Sequence, residues 1–325
     1  MMKLIDPGIR TTIQDLGRTG FFHLGVPPSG AADKLSFMLG NVLIGNPTDV
    51  AGLEMMVKGA SVEFEKRTTV VITGAPAEVR LNGNMQPMWE VFEVKKGDVL
   101  EIGKISEGLF SYLCVSGGLE APEVLGSRSS CLASGFHGIT GRLLLAGDEI
   151  RMAEPLPGAI QLVGKQVIEE AKPIFARTGT AHIVLGITCD LVSDEGLVSF
   201  LNTPWTIQPQ STRTACRLNG GDVRYKESEP PFGSGGNPGN IVDIPYPIGA
   251  VIVPNEGEII VLLTDGTGGG GFVTIGTVIW QDINELSQMR PLSTVKFKAI
   301  TVDQAIAMRR EKERLIERVR ESVQF

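Results

Sequence analysis

Residues 70–115 read VVITGAPAEVRLNGNMQPMWEVFEVKKGDVLEIGKISEGLFSYLCV, and the punctuation of this stretch decides the fold. Residues 70–73, 79–81, 99–102 and 111–115 are short runs rich in Val, Ile and Leu, separated by Gly, Pro and Asn, as in strands joined at close intervals. The pattern recurs outward at 181–185, 250–253 and 259–263, and 40 glycines and 19 prolines keep such runs short. Helical periodicity is confined to 32–43, 193–201 and a charged segment from 302 to about 322. The chain therefore reads as mainly β, with a few short helices and a C-terminal helix.

Composition narrows the function. A formal net charge of −7 without long basic runs argues against a nucleic-acid partner, which needs clustered Lys and Arg. No apolar run approaches the roughly 20 residues that cross a bilayer, and Met1-Met2-Lys3-Leu4-Ile5-Asp6 turns polar too early for a signal peptide, so the expected location is cytoplasmic, with no membrane partner. Cys114, Cys131, Cys189 and Cys216 show no C-x-x-C spacing and read as reduced thiols, Cys114 as a small buried hydrophobe. His23, His137 and His182 lack the spacing that puts two imidazoles on one ion, and no metal is assigned. What remains is a protein that handles a small molecule.

Residues 157–172 carry little periodicity and separate halves of similar length, which places a boundary near Gln166 and gives domains 1–165 and 166–325, the second carrying the C-terminal helix. One echo links the halves: Thr12-Ile13-Gln14 leads to Arg18, and Thr206-Ile207-Gln208 leads to Arg213. The C-terminal segment alternates Glu and Lys or Arg around Ile306, Leu315, Ile316 and Val319 and reads as a solvated helix. Residues 233–240 are rich in glycine and read as a mobile surface loop or lid.

The densest polar segment runs from Thr11 through Gln14, Asp15 and Arg18 to Gly25-Val26-Pro27-Pro28-Ser29-Gly30 and Asp33, where a helix opens. Such a loop offers backbone N–H groups and a positive dipole end to a carboxylate or phosphate. The plainer reading is that Ser29 caps the helix and Arg18 pairs with Asp15. A second cluster is Gly117-Gly118 with Arg128, Ser129, Ser130, Gly141 and Arg142; its plain alternative is a turn with surface arginines. A third is Ser211, Thr212, Arg213 and Arg217; a fourth, Asp265 followed by Gly266-Thr267-Gly268-Gly269-Gly270-Gly271, lacks the lysine of a phosphate loop and reads more simply as a flexible loop. This inventory of Arg, Asp, Ser and backbone suits electrostatic stabilisation of an oxyanion or carboxylate more than a side-chain nucleophile.

These residues carry a family resemblance. Pro7-Gly8, Thr11 to Arg18, Gly25-Val26-Pro27, Ser29-Gly30-Ala31, Asp33, Asn41, Gly45-Asn46 and Leu53-Glu54, with Arg128, Ser129, Arg142, Ser211, Arg213, Arg217, Asp265, Asp282, Gln288 and Pro291 further on, resemble the KipA-type family, also called biotin-dependent carboxyltransferase-like, allophanate hydrolase subunit 2-like or the C-type subunit of 5-oxoprolinase. The resemblance implies two cyclophilin-like β-barrel domains and partners of the KipI-like and LamB/YcsF-like kinds. With these the family opens 5-oxoproline to glutamate using ATP, the single protein being inactive alone. A second implied activity is biotin-dependent carboxyl transfer to urea or another small amide or acid, the biotin carried on a separate chain. A third is a regulatory binding protein without turnover. The resemblance gives Arg18, Ser29, Gly30, Arg128, Ser129, Arg142, Arg213 and Arg217 as substrate anchors and Asp15, Asp33 and Asp265 as acid/base or orienting groups.

The second half departs from the pattern. Similar sequences read S-D-R-M-G-Y-R where this one has Ser211-Thr212-Arg213-Thr214-Ala215-Cys216-Arg217, and P-G-A-I-Q-V-P where it has Ile248-Gly249-Ala250-Val251-Ile252-Val253-Pro254. Their D-x-Q-T-T-G-G-Y-P is replaced by residues 265–273, with Gly268-Gly269 in place of the two threonines. Losing an acid at Thr212 and an amide at Ile252 removes groups that read a substrate.

Overall fold

The computed structural model describes residues 1–136, 142–227, 231–233 and 235–323. They form two compact units, one of Met1–Thr19, Ser29–Phe175 and Lys312–Phe325, the other of Gly20–Pro28 and Ala176–Glu311.

The first unit has two antiparallel sheets. One orders its strands Leu119–Glu120, Glu149–Met152, Met2–Asp6, Ser61–Phe64, Val99–Ile105, Ala77–Leu81 and Asn84–Met85; the other runs Arg10–Gln14, Gly52–Met56, Phe110–Val115, Thr68–Gly74 and Phe92–Val94. Met2, Leu4, Ile13, Leu53, Val62, Phe64, Ile72, Leu100 and Leu113 from both sheets share one apolar core. Strand side chains alternate between faces. Leu113 and Val115 accordingly enter this core, while Tyr112 and Cys114 enter a second cluster with helix α1 (Lys34–Leu43). Burial on both faces explains why 70–72 and 112–115 are unbroken apolar runs rather than alternating ones. Phe37 of α1 meets the Tyr112 ring edge-on at 5.6 Å. Burial pushes the Cys114 thiol up, away from nucleophilic use.

The second unit is a closed barrel, with strands ordered Thr178–Leu185, Thr274–Val278, Ala250–Asn255, Glu258–Leu262, Ala215–Asn219, Trp205–Ile207 and Thr294–Ala299. It closes through parallel pairing of the first and last of these. Trp205, Phe200 and Phe297 fill one part of the interior, Phe200 stacking on Phe297 at 4.7 Å, and the Trp205 indole N–H donates to the Phe200 carbonyl at 3.0 Å. Helix α2 (Asp194–Asn202) is capped by Ser193, whose hydroxyl accepts from Gly196 N, and carries Asp194 and Glu195 in its first turn.

The mainly β reading is borne out, and each of the strand and helix runs read from sequence overlaps an observed element. Helix α3 (Trp280–Gln288) was not anticipated: its apolar stripe is short, and Gln281, Asp282, Asn284, Glu285, Ser287 and Gln288 give it a polar composition. Residues 268–271 are not a free loop, since Gly269–Phe272 is a strand paired with Asn240–Pro245. Ser234, within the expected lid, lies outside the described residues.

Helix α4 (Val302–Val323) keeps most of its charged residues exposed, yet its last turns bury Ile316, Val319 and Val323 in the α1 cluster of the first unit. Docking, and not solvation alone, fixes this helix. Val319→Ala is expected to lower unfolding stability by about 2 kcal/mol, whereas Ile306→Ala, at a side chain 42% exposed, changes it by less than about 0.5 kcal/mol, as urea titration will show.

Candidate functional site

In the first unit, strand Arg10–Gln14 delivers Asp15 into a buried position. Its carboxylate accepts from Gly17 N at 2.7 Å, Ser127 Oγ at 2.7 Å, Arg128 N at 2.6 Å and Ser129 Oγ. Ser129 Oγ in turn accepts from Asp15 N at 2.9 Å. Asp15 thus clamps the 127–129 segment, more than 110 residues away, to the 15–17 turn. Arg18, 2% exposed, donates from Nη2 to the Ser129 carbonyl at 2.6 Å and lies 4.6 Å over the Phe136 ring. The chain folds back so tightly here that a Cβ on Gly30, at φ +88°, would sit 2.6 Å from the Leu16 carbonyl carbon, so only glycine fits. Beside it Ser29 takes φ +55° with its hydroxyl buried, and among the described residues neither that hydroxyl nor Gln14 Oε1 has a hydrogen-bond partner.

The cap of α1 is Asp33, not Ser29: the Asp33 carboxylate accepts from Ser36 N at 3.0 Å and Ser36 Oγ at 2.5 Å. Glu54 accepts from Ala32 N at 2.7 Å, and Asp33 N donates to the Tyr112 hydroxyl at 2.8 Å. The chain's own carboxylates therefore occupy the helix N-terminus that the sequence offered to an external anion.

The expected anchors of the 117–142 cluster separate. Ser129 is buried on Asp15, whereas the Arg128 guanidinium is exposed, 3.3 Å from Glu123. Arg142 makes a two-pronged pair with Asp148, both contacts 2.8 Å. His137 and Gly141 lie outside the described residues.

In the second unit, strand register brings several groups to one end of the barrel. Ala215 pairs with Leu262, Val251 with Val261, Ala250 with Thr277, and Ile183 with Val278. Residues 213–214, 263–265 and 279–282 therefore leave the barrel at the same end. There Arg213 and Asp265, 3% and 5% exposed, form a two-pronged pair, Nε to Oδ2 at 2.9 Å and Nη2 to Oδ1 at 3.2 Å. Arg217 instead lies on the outside, 2.7 Å from Glu258. Thr212 is exposed, and Ile252 is buried among Tyr246, Ala250 and Leu262.

A further pair at this end was not legible in the sequence. His182 Nδ1 lies 2.8 Å from Asp282 Oδ2, which also accepts from His182 N at 2.6 Å. Asp282 as a carboxylate only accepts, so Nδ1 is the donor in this contact. The two residues are 100 apart in the chain, and only contact reveals them. Among the described residues no cluster of His, Cys, Asp and Glu suits a metal ion, and no helix is long and apolar enough to cross a membrane.

Each of the two β frameworks presents buried Arg, Asp and hydroxyl groups. The chain belongs to the carboxyltransferase domain, subdomain A and B family, which it matches over residues 24–299. It is 30% identical to the C-type subunit of 5-oxoprolinase from Escherichia coli, over 98% of this chain and 97% of that one. It is also 30% identical to urea amidolyase of Lachancea kluyveri, spanning 97% of this chain but 18% of that protein. The solved urea amidolyase of K. lactis superposes with a TM-score of 0.90 at 29% identity, over 98% of this chain and 20% of that one. The resemblance read from the opening motifs is borne out.

Asp15→Ala strands four donors around a buried site and is expected to cost about 3–5 kcal/mol in urea unfolding; Arg128→Ala, at an exposed pair, costs less than about 1 kcal/mol. The Arg142 guanidinium beside Asp148 holds that carboxyl below its ordinary value, so its contribution to stability is complete above the ordinary aspartate range and is lost as pH falls through the depressed value. Acid-unfolding curves of Arg142→Ala should therefore converge on those of the parent at the lowest pH.

Proposed function

We propose that the chain is one component of an ATP-dependent 5-oxoprolinase that opens 5-oxoproline to glutamate together with KipI-like and LamB/YcsF-like subunits in the cytoplasm. The observation that carries this reading is the match to the C-type 5-oxoprolinase subunit along nearly the whole of both chains. The site chemistry agrees with it: Arg213, held by Asp265, and Arg18, held by the Ser129 carbonyl, are buried cations suited to a substrate carboxylate. Asp15 and Asp33 enter this reading as positioning groups, because their carboxylates are taken up by backbone and hydroxyl donors.

In this reading ATP serves the complex; biotin, carried on a separate chain, belongs to the carboxyltransferase alternative. The glycine run after Asp265 passes into the strand Gly269–Phe272, which pairs with Asn240–Pro245. A carboxyltransferase acting on urea or another small amide is the second reading, supported by the 0.90 TM-score to a urea amidolyase.

The test is co-expression with the KipI-like and LamB/YcsF-like chains and measurement of glutamate formed from 5-oxoproline and ATP. Glutamate is expected, and Arg213→Lys, which keeps the charge and loses the fork, should lower the rate about 100-fold with assembly intact. A stable complex that makes no glutamate refutes the oxoprolinase reading; carboxylation of urea on adding biotin carboxylase and a biotinyl carrier then supports the second.

A further inference from the structure

Helix α3 has two buried faces of opposite character. Ile283 and Leu286 join the barrel core. Gln281, Asn284 and Gln288, spaced i, i+3 and i+7, share the opposite face, and all three are 3–4% exposed. Asn284 Nδ2 is used within the helix, donating to the Trp280 carbonyl at 3.0 Å. Gln281 differs: among the described residues neither its Oε1 nor its Nε2 has a hydrogen-bond partner. Burying both ends of a primary amide without partners is costly, and native proteins rarely keep such a group without a use for it. Gln281 follows the barrel strand Thr274–Val278 at the same end as Arg213 and Asp265, where Thr264 Oγ1 is likewise buried without a partner among the described residues.

We propose that Gln281 is a specificity-determining residue whose side-chain amide pairs with a ligand carrying a cis N–H/C=O edge, the edge shown by a lactam, a ureido ring or urea. The primary amide sets an acceptor and a donor side by side. The ligand N–H donates to Oε1 and the ligand C=O accepts from Nε2, so one residue recognises both atoms of the amide bond. The fixed geometry of α3, whose apolar side is anchored in the barrel core, holds that edge in place. The choice of lactam and ureido ligands rests on the function proposed above, whereas the pairing rests on Gln281 alone.

Calorimetric titration of the full chain with 5-oxoproline, N-methyl-5-oxoproline, biotin and urea tests this. The parent should bind at least one of the N–H ligands, and where that is 5-oxoproline, N-methylation should weaken binding at least about tenfold. Gln281→Met, of similar size and without polar atoms, should weaken N–H ligands by a similar factor and abolish the discrimination between the two lactams. It should also raise the Tm of the unliganded chain, because it removes a buried amide without partners; a purely structural glutamine would not combine that gain with lost binding. Preference for 5-oxoproline or for biotin and urea separates the sources of the shared edge. Equal affinities in parent and Gln281→Met, or no binding of any probe at millimolar concentration, overturns the proposal. If the assembled complex makes no glutamate yet these ligands bind through Gln281, the oxoprolinase reading fails and the inference stands. If glutamate forms with unchanged kcat and KM in Gln281→Met, the inference fails and the reading stands.

Discussion

The first unit depends on how one carboxylate is satisfied. Asp15 lies buried where a strand ends, and a buried charge persists only when its oxygens are filled with donors. The four donors come from the turn that follows and from a segment 112–114 residues later, so filling them fixes the positions of both. Arg18 then finds the Ser129 carbonyl within reach, and Gly30 is the residue that lets the chain return against Leu16. A residue expected to do chemistry thus sets the frame in which neighbouring groups are presented.

The second unit solves a similar problem with an ion pair. Arg213 and Asp265 are almost wholly buried and satisfy each other through two contacts, at the barrel end where backbone also ties them, Asp265 N donating to the Arg213 carbonyl at 3.1 Å. Such pairs seldom add much net stability, because desolvation opposes the attraction. Their value lies in holding a guanidinium at a defined place. In both copies of the Thr-Ile-Gln echo the Thr-Ile pair lies in a strand, and Arg18 and Arg213 are both buried.

Much of this was legible because strands buried on both faces advertise themselves. Residues 112–115 and 70–72 are unbroken apolar runs, and alternate side chains of each serve two different cores. Helix α3 was hidden because its outward face is polar and still buried, a combination that hydrophobic periodicity does not register. The candidate groups were legible as residue types and not as partnerships: Asp15, Arg18, Arg213 and Asp265 stood out, but the 100 residues between His182 and Asp282 and the 111 between Arg18 and Ser129 are closed only by folding. The roles of Asp33 and Glu54 at the α1 N-terminus were hidden for the same reason, since Glu54 reaches Ala32 from a neighbouring strand.

The central claim is that the buried polar groups at one end of the barrel are a ligand site and not leftover structure. Hydrogen–deuterium exchange of the assembled complex, with and without 5-oxoproline, tests it most directly. The account predicts slowed exchange in this chain at residues 213–214, 263–267 and 279–284, where Arg213, Thr264, Asp265 and Gln281 reside. Unchanged exchange in those segments under conditions where glutamate is formed would contradict it.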